Sequence, residues 1–444
     1  MASFLVPFMG SSINVALPSI GREMELDAIL LSWVATSYLL AAAMFLVPFG
    51  RVADIYGRKK VFTLGMTIYT IASLLSGLSV TPTMLIAFRV LQGIGSSMVF
   101  GTGVAILTSV FPVGERGKAL GINVAAVYLG LSLGPFIGGL LTQYLGWRSI
   151  FLINVPLGLL VITLVFLRLR GEWAEAKGEK LDVAGSVIYG LALLAIVYGF
   201  SLLPSTTGIW TILVGILGLV AFVLWERRVK SPVLNVKLFS ENAVFALSNL
   251  AALINYSATF AVGFLLSLYL QYVQGFNPQT TGLILVAQPI VMTILSPFAG
   301  RLSDRIEPRI VASIGMASAT IGLLLLIFLE QDSTIAFLLV SLVILGFGFA
   351  LFSSPNTNAI MSSVEKRHYG VASATLGTMR LVGQVLSMGI AMLILGVYVG
   401  KVEISPEHHQ DLISGLKVAF IIFASLCFVG IFASLTRGRV RKKA

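Results

Sequence analysis

The chain has little charge, almost no sulfur chemistry and few histidines for its length. Of 444 residues, 11% are charged and 57% are hydrophobic, against roughly 25% charged in soluble proteins. That shortage excludes an ordinary soluble fold. The net charge of +11 is spread too thinly to build the basic, aromatic-interleaved face that a nucleic acid needs, so no nucleic-acid partner is expected. The single cysteine, Cys427, lies in an apolar stretch, which excludes an intrachain disulfide and a cysteine-based metal site. His368, His408 and His409 fall in loops without ligand spacing, so no metal or other cofactor is expected. The clustered acid, histidine and serine groups of a membrane enzyme are also missing. No polar stretch exceeds about twenty residues, too short for a soluble signalling domain.

What is present is apolar length. A bilayer core about 30 Å thick takes about 20 residues of helix, and that template finds fourteen spans, at 2–20, 28–50, 60–80, 83–108, 118–142, 149–168, 184–203, 208–226, 243–270, 281–300, 310–329, 334–358, 370–396 and 414–435. The fold class is therefore an all-α integral membrane protein, with the lipid bilayer as its first partner. The opening apolar run lacks a basic leader and a small-residue cleavage site, so it is read as a retained helix. Loops and termini on one side carry 24 Lys and Arg against four on the other. This predicts a multi-pass protein of the cytoplasmic membrane with both termini in the cytoplasm. Of the 19 acids, none is assigned to a span, Glu226 at the edge of 208–226 being counted with the loops.

The segment Gly50-Arg51-Val52-Ala53-Asp54, leaving the second span, recurs as Gly300-Arg301-Leu302-Ser303-Asp304 leaving the tenth. Repeated bundles are common in transporters. The repeat predicts a six-helix bundle at 1–170, a connector with an inserted helix pair at 171–240, and a second bundle at 241–444.

Several groupings stand out. Gly50 and Gly57 permit a tight turn around Asp54, Arg58, Lys59 and Lys60, and with Gly300 and Asp304 they form a candidate conformational latch. Arg89, Gln92 and Ser96 share one helical face, as do Arg380, Gln384 and Ser387. Intramembrane arginines usually face a cavity or a partner. Arg380 lies about 15 Å into its span, too deep to snorkel easily. Asn14, Asn255 and Tyr256 complete the candidate coupling or substrate-cavity set, although polar groups in spans also serve simply to join helices. Gly130, Gly134 and Gly138 form a stripe at four-residue spacing, and Pro135 removes a backbone donor within it. A bend in that stripe, facing the other bundle, would make a hinge or seal.

The turn 50–60 resembles the signature G-x-L-A-D-R-x-G-R-K of the major facilitator superfamily, apart from Val52 and Ile55. Phe88-Arg89-Val90-Leu91-Gln92-Gly93-Ile94-Gly95 is similar to its helix 4 motif. Gly130-Leu131-Ser132-Leu133-Gly134-Pro135-Phe136-Ile137-Gly138-Gly139 is similar to its helix 5 exporter motif, and Trp147-Arg148 with Phe151 to Pro156 follows the entry to helix 6. In this order, and with fourteen spans, the chain resembles the superfamily's drug:proton antiporter family. The resemblance implies two six-helix bundles plus two inserted helices, and export of small amphipathic molecules by alternating access. It also implies a proton gradient as energy source, a monomer, and a coupling role for Arg89. One departure matters. The first-span run Phe8-Met9-Gly10-Ser11-Ser12-Ile13-Asn14-Val15-Ala16-Leu17-Pro18 has Met9 where that family carries an acid. An uncoupled facilitator, or an anion or metabolite transporter of the same fold, is therefore the alternative.

Overall fold

The computed structural model describes residues 1–111, 116–229, 231–234, 236–365 and 369–438, and the side chains of 116–118 and 120 are outside the description. Lys230, Lys366, Arg367, His368 and the basic tail from 439 onward therefore lie outside the described residues.

The described chain is helical. Thirteen helices are long and apolar enough to cross a membrane. They are α1 (Ala2–Met24), α2 (Ala28–Tyr56), α4 (Pro82–Val110), α5 (Arg116–Leu145), α6 (Arg148–Arg168), α7 (Val183–Leu202), α8 (Thr206–Glu226), α9 (Ala243–Val273), α10 (Pro278–Arg305), α11 (Pro308–Leu326), α12 (Ile335–Ser362), α13 (Tyr369–Tyr398) and α14 (Pro406–Thr436). The remaining expected span is α3 (Arg58–Gly77). It is a continuous helix of 20 residues, but Arg58, Lys59 and Lys60 at its start dilute its apolar stretch. The starts are chemically marked. Asp27, Thr81, Asp182, Ser205, Asn242, Asn277 and Thr334 each accept a hydrogen bond from a first-turn amide of the helix that follows, satisfying donors that a helix leaves open.

The first and last six helices pack in the same pattern. α1 lies on α5, α2 and α3 on α4, and α3 on α6; correspondingly α9 lies on α13, α10 and α11 on α12, and α11 on α14. The two sets meet where α2 packs on α13, α5 on α10 and α1 on α9. α7 lies against α2 and α13 at this seam, and α8 packs on α7. The outer face of α8 is bare, with Trp210 and Leu217 about two-thirds exposed, as suits contact with lipid.

Two expectations need correction. Gly50 and Gly300 do not turn the chain: α2 runs on to Tyr56 and α10 to Arg305, and only Gly57, at φ 121°, leaves the helical region. Backbone hydrogen bonding continues past the apolar stretch, so the helix outlasts the hydropathy signal. Glu226, counted with the loops, is the last residue of α8 and is 2% exposed.

Candidate transport site

At mid-depth the two sets of helices meet around an aromatic cluster. Tyr256 of α9, Met292 of α10 and Phe349 of α12 pack with Tyr128 and Leu131 of α5. The Tyr256 and Phe349 rings stand edge to face at 5.3 Å. The Tyr128 hydroxyl lies 3.5 Å from Ser353 Oγ of α12, and Ser132 Oγ lies 2.8 Å from Thr293 Oγ1 of α10. Arg380 borders this cluster. Its Nη2 donates to Thr357 Oγ1 at 2.8 Å and its guanidinium lies 5.7 Å from the Tyr256 ring, while Nε is buried without a partner. Asn255 beside it is fully buried, with neither amide atom hydrogen-bonded. Gln384 is half-buried one turn further along α13. Ser387, another turn on, accepts the Ala261 amide at 3.0 Å. That donor is freed where α9 breaks at Phe260 and Ala261, and buried donors need partners.

Arg89 is elsewhere. It is 1% exposed inside the first six helices, donating from Nε to the Val34 carbonyl at 3.0 Å and from Nη1 to Gln92 Oε1 at 2.5 Å, with Tyr38's ring 4.3 Å away. Gln92 in turn donates to Ser73 Oγ at 2.8 Å, and Tyr38 bonds Ser96. Arg89 therefore ties α2, α3 and α4 together and does not line the seam. Among the described residues it has no carboxylate partner. Met9, at the expected acid's position, is fully buried, and the Asn154 amide lies 3.6 Å from its sulfur. Asn154 also contacts the Tyr69 hydroxyl, so a neutral polar pocket surrounds a thioether.

The stripe on α5 faces its own bundle. A Cβ on Gly130 would lie 2.5 Å from the Phe4 carbonyl, one on Gly134 would overlap the Ser11 hydroxyl, and one on Gly138 would lie 2.6 Å from Ser12 Cβ. All three belong to α1. The expected contact with the other bundle is made one step round the helix, where Pro135 and Gly139 receive α10 through Gly282, Pro278 and Gln279. A four-residue stripe identifies a close-approach face, but which neighbour approaches is a tertiary fact.

At the end of α1 remote from the termini, Pro18 has no N–H for the Asn14 carbonyl. That carbonyl instead accepts Ser267 Oγ of α9 at 2.6 Å. Gln271 Nε2 donates to the Val15 carbonyl at 2.8 Å, Arg22 Nη2 to the Gln271 carbonyl at 3.0 Å, and Tyr272 to the Pro18 carbonyl at 3.4 Å. The α9 partners lie on or beside a π-helical turn, Tyr269–Val273. These α9 partners lay outside the sequence reading, and the Pro18 gap was the available signal.

At the other end, the turn between α2 and α3 is strapped by residues 169–182. Arg58 pairs with Asp54 at 2.8 Å and with Glu175 through both amino groups, at 2.8 and 3.0 Å. Glu172 accepts the Lys59 and Lys60 amides, at 2.8 and 3.2 Å, and occupies the space a Gly57 side chain would need. Arg51 pairs with Glu179. In the second set the repeat differs. Asp304 Oδ1 lies 3.3 Å from the Asn358 amide, and Arg437, counted from the sequence among the bases of the tail, is fully buried against Asn356 Oδ1 at 2.5 Å and Ser248 Oγ at 3.2 Å. Burial lowers the Arg437 pKa to about 10, with Glu307 opposing that shift.

A helical bundle built from two similarly packed sets, with a polar and aromatic seam between them, is the architecture of a membrane transporter. The Major Facilitator Superfamily model matches residues 1–245 and 249–444, and the chain belongs to that superfamily. It is 29% identical to the riboflavin transporter RibZ of Clostridioides difficile (strain 630), over 97% of this chain and 94% of that protein. Identity is 32% to the cephamycin export protein CmcT of Amycolatopsis lactamdurans, over 96% and 90%, and 32% to the multidrug resistance protein Stp of Mycobacterium tuberculosis, over 87% and 72%. In fold it matches a bacterial homolog of the human lysosomal transporter Spinster (TM-score 0.65, 17% identity, 98% and 94% covered) and the nucleoside transporter NupG (TM-score 0.65, 14% identity, 98% of each chain).

Proposed function

We propose that the protein exports small amphipathic molecules, neutral or anionic, across the cytoplasmic membrane, with its termini in the cytoplasm. Arg380 carries the reading. It is a half-buried cation at mid-depth on the seam, held by a hydroxyl and an aromatic ring, and among the described residues no carboxylate neutralises it. Such a site favours an anion or a polarised neutral group and disfavours a cationic drug. The aromatic cluster offers a stacking surface for the rest of the molecule. That relatives include proteins named for riboflavin transport, cephamycin export and multidrug resistance supports a substrate of this kind.

The mechanism we infer is alternating access, in which the two six-helix bundles rock about the seam. The α1–α9 contacts would hold the outer face, and the turn and strap around Asp54, Gly57 and Arg58 would stiffen the inner one. Proton-coupled export by a monomer is the first form of this reading. Met9 is the observation that favours the second, an uncoupled facilitator. Reconstituted protein distinguishes them: coupled export accumulates substrate against its gradient when a pH difference is imposed, and a facilitator does not. Arg380→Ala is expected to abolish flux of anionic compounds. Wild-type flux in that variant would remove the arginine from the mechanism.

A further inference from the structure

Two acids lie buried together away from the seam. Asp182, at the start of α7, and Glu226, at the end of α8, are both buried, 9% and 2% exposed. Three of their four oxygens have donors. Asp182 Oδ1 accepts the Gly185 amide at 2.9 Å, Asp182 Oδ2 accepts Trp225 Nε1 at 2.9 Å, and Glu226 Oε2 accepts the Leu234 amide at 2.9 Å. The fourth, Glu226 Oε1, is buried, and among the described residues no donor lies within hydrogen-bond geometry of it. It and Asp182 Oδ2 crowd the same glycine: a Cβ built on Gly185 would lie 2.5 Å from Asp182 Oδ2 and 2.6 Å from Glu226 Oε1, so the two oxygens are at most the sum of those distances, 5.1 Å, apart.

Two ionised carboxylates can only accept, and like charges at this spacing in a buried site repel. One hydrogen between the two oxygens removes the repulsion and supplies Glu226 Oε1 with a donor. A metal ion would need four or more ligands, and only two oxygens converge here. We propose that the inserted helix pair holds one proton shared between Asp182 and Glu226, a protonation site separate from the arginine-bearing seam.

Among the described residues the surrounding charges are exposed or engaged elsewhere. Among the described residues neither carboxyl has a basic partner. On the connector, Glu179 is engaged by Arg51 of α2 and by Ser231, and Lys180 is exposed. On α8, Arg227 and Arg228 follow Glu226 but are exposed. Tyr189 of α7 donates to the Ala43 carbonyl of α2, and Arg380 of α13 to Thr357. The site joins the foot of α7 to the foot of α8, and α7 lies against the α2–α13 seam. Loss of the proton sets two carboxylates face to face and loosens the inserted pair at the point where the two bundles meet.

Infrared difference spectroscopy of the full-length protein in lipid, titrated from acid to alkali, tests this without any transport substrate. Wild type is expected to show a protonated-carboxyl C=O band at neutral pH that disappears with alkali. Glu226→Gln, whose amide can donate to Asp182 in the proton's place, should lose the band while the protein elutes as wild type does. Trp225→Phe, which removes a donor to Asp182 and leaves both acids, should shift the band's titration midpoint. No such band in wild type, a band that survives Glu226→Gln, or a midpoint unmoved by Trp225→Phe overturns the proposal. The wild-type and Trp225→Phe measurements decide it even if Glu226→Gln fails to fold.

Discussion

Gly57→Ala is a sharp test of the strap over the α2–α3 turn. Gly57 has φ 121°, and the Cβ introduced there would lie 2.5 Å from the Glu172 carboxyl carbon. Two costs follow. An alanine held at positive φ costs about 1–2 kcal/mol. Expelling Glu172 uncaps the Lys59 and Lys60 amides, which costs about 1 kcal/mol more. Together about 2–3 kcal/mol is lost locally, or roughly 30- to 150-fold in the opening equilibrium. The observable is the Ala176 amide, which donates to the Asp54 carbonyl at 2.9 Å and becomes exchangeable only when the strap lifts. Hydrogen exchange at this amide should accelerate by that factor in Gly57→Ala and by about fivefold in Glu172→Ala, which loses only the cap. The double variant should fall short of the sum, because both changes remove the same cap. Unchanged Ala176 exchange in Gly57→Ala would refute the reasoning.

Other outcomes follow from the same geometry. Gly134→Val should prevent α1 from seating on α5, and the variant should fail to yield monodisperse protein in detergent; wild-type yield and unfolding temperature would contradict it. Ser387→Ala leaves the Ala261 amide buried without an acceptor and should cost about 1–3 kcal/mol, read as a lower thermal midpoint with little change in substrate affinity. Arg89→Ala strands Gln92 Oε1 and removes the second donor to the Val34 carbonyl, and should destabilise the protein by about 1–3 kcal/mol, visible in thermal unfolding even without substrate. Met9→Asp sets a carboxyl beside the Asn154 amide, and in proteoliposomes it should make flux more dependent on an imposed pH gradient; identical gradient dependence in both proteins would count against that position as a proton site.

The helices were legible because each span writes its own hydropathy and many write their own caps, and because Lys and Arg mark their loops. The Gly50 and Gly300 repeat indicated two equivalent halves, but the pairing of α1 with α5 and of α9 with α13 was not legible from it. Site residues were legible unevenly. Arg380 and Tyr256 did prove to be neighbours, whereas Arg89, equally conspicuous, is enclosed by Val34, Tyr38 and Gln92 and belongs to bundle assembly. The burial of Arg437 and Glu226 was not legible, because a charged residue at the end of an apolar run has no sequence mark for burial.

By itself, then, the sequence determined which segments are helical and which residues are costly to place in a membrane, since these follow from local transfer free energies and hydrogen bonding along one chain. Only the tertiary structure decided which of those costly residues meet. Whether Arg380 finds a carboxylate or a tyrosine, whether the Gly134 stripe receives α1 or α10, and whether Glu226 faces water or Asp182 are set by the packing of helices far apart in sequence, and no local free energy encodes that choice.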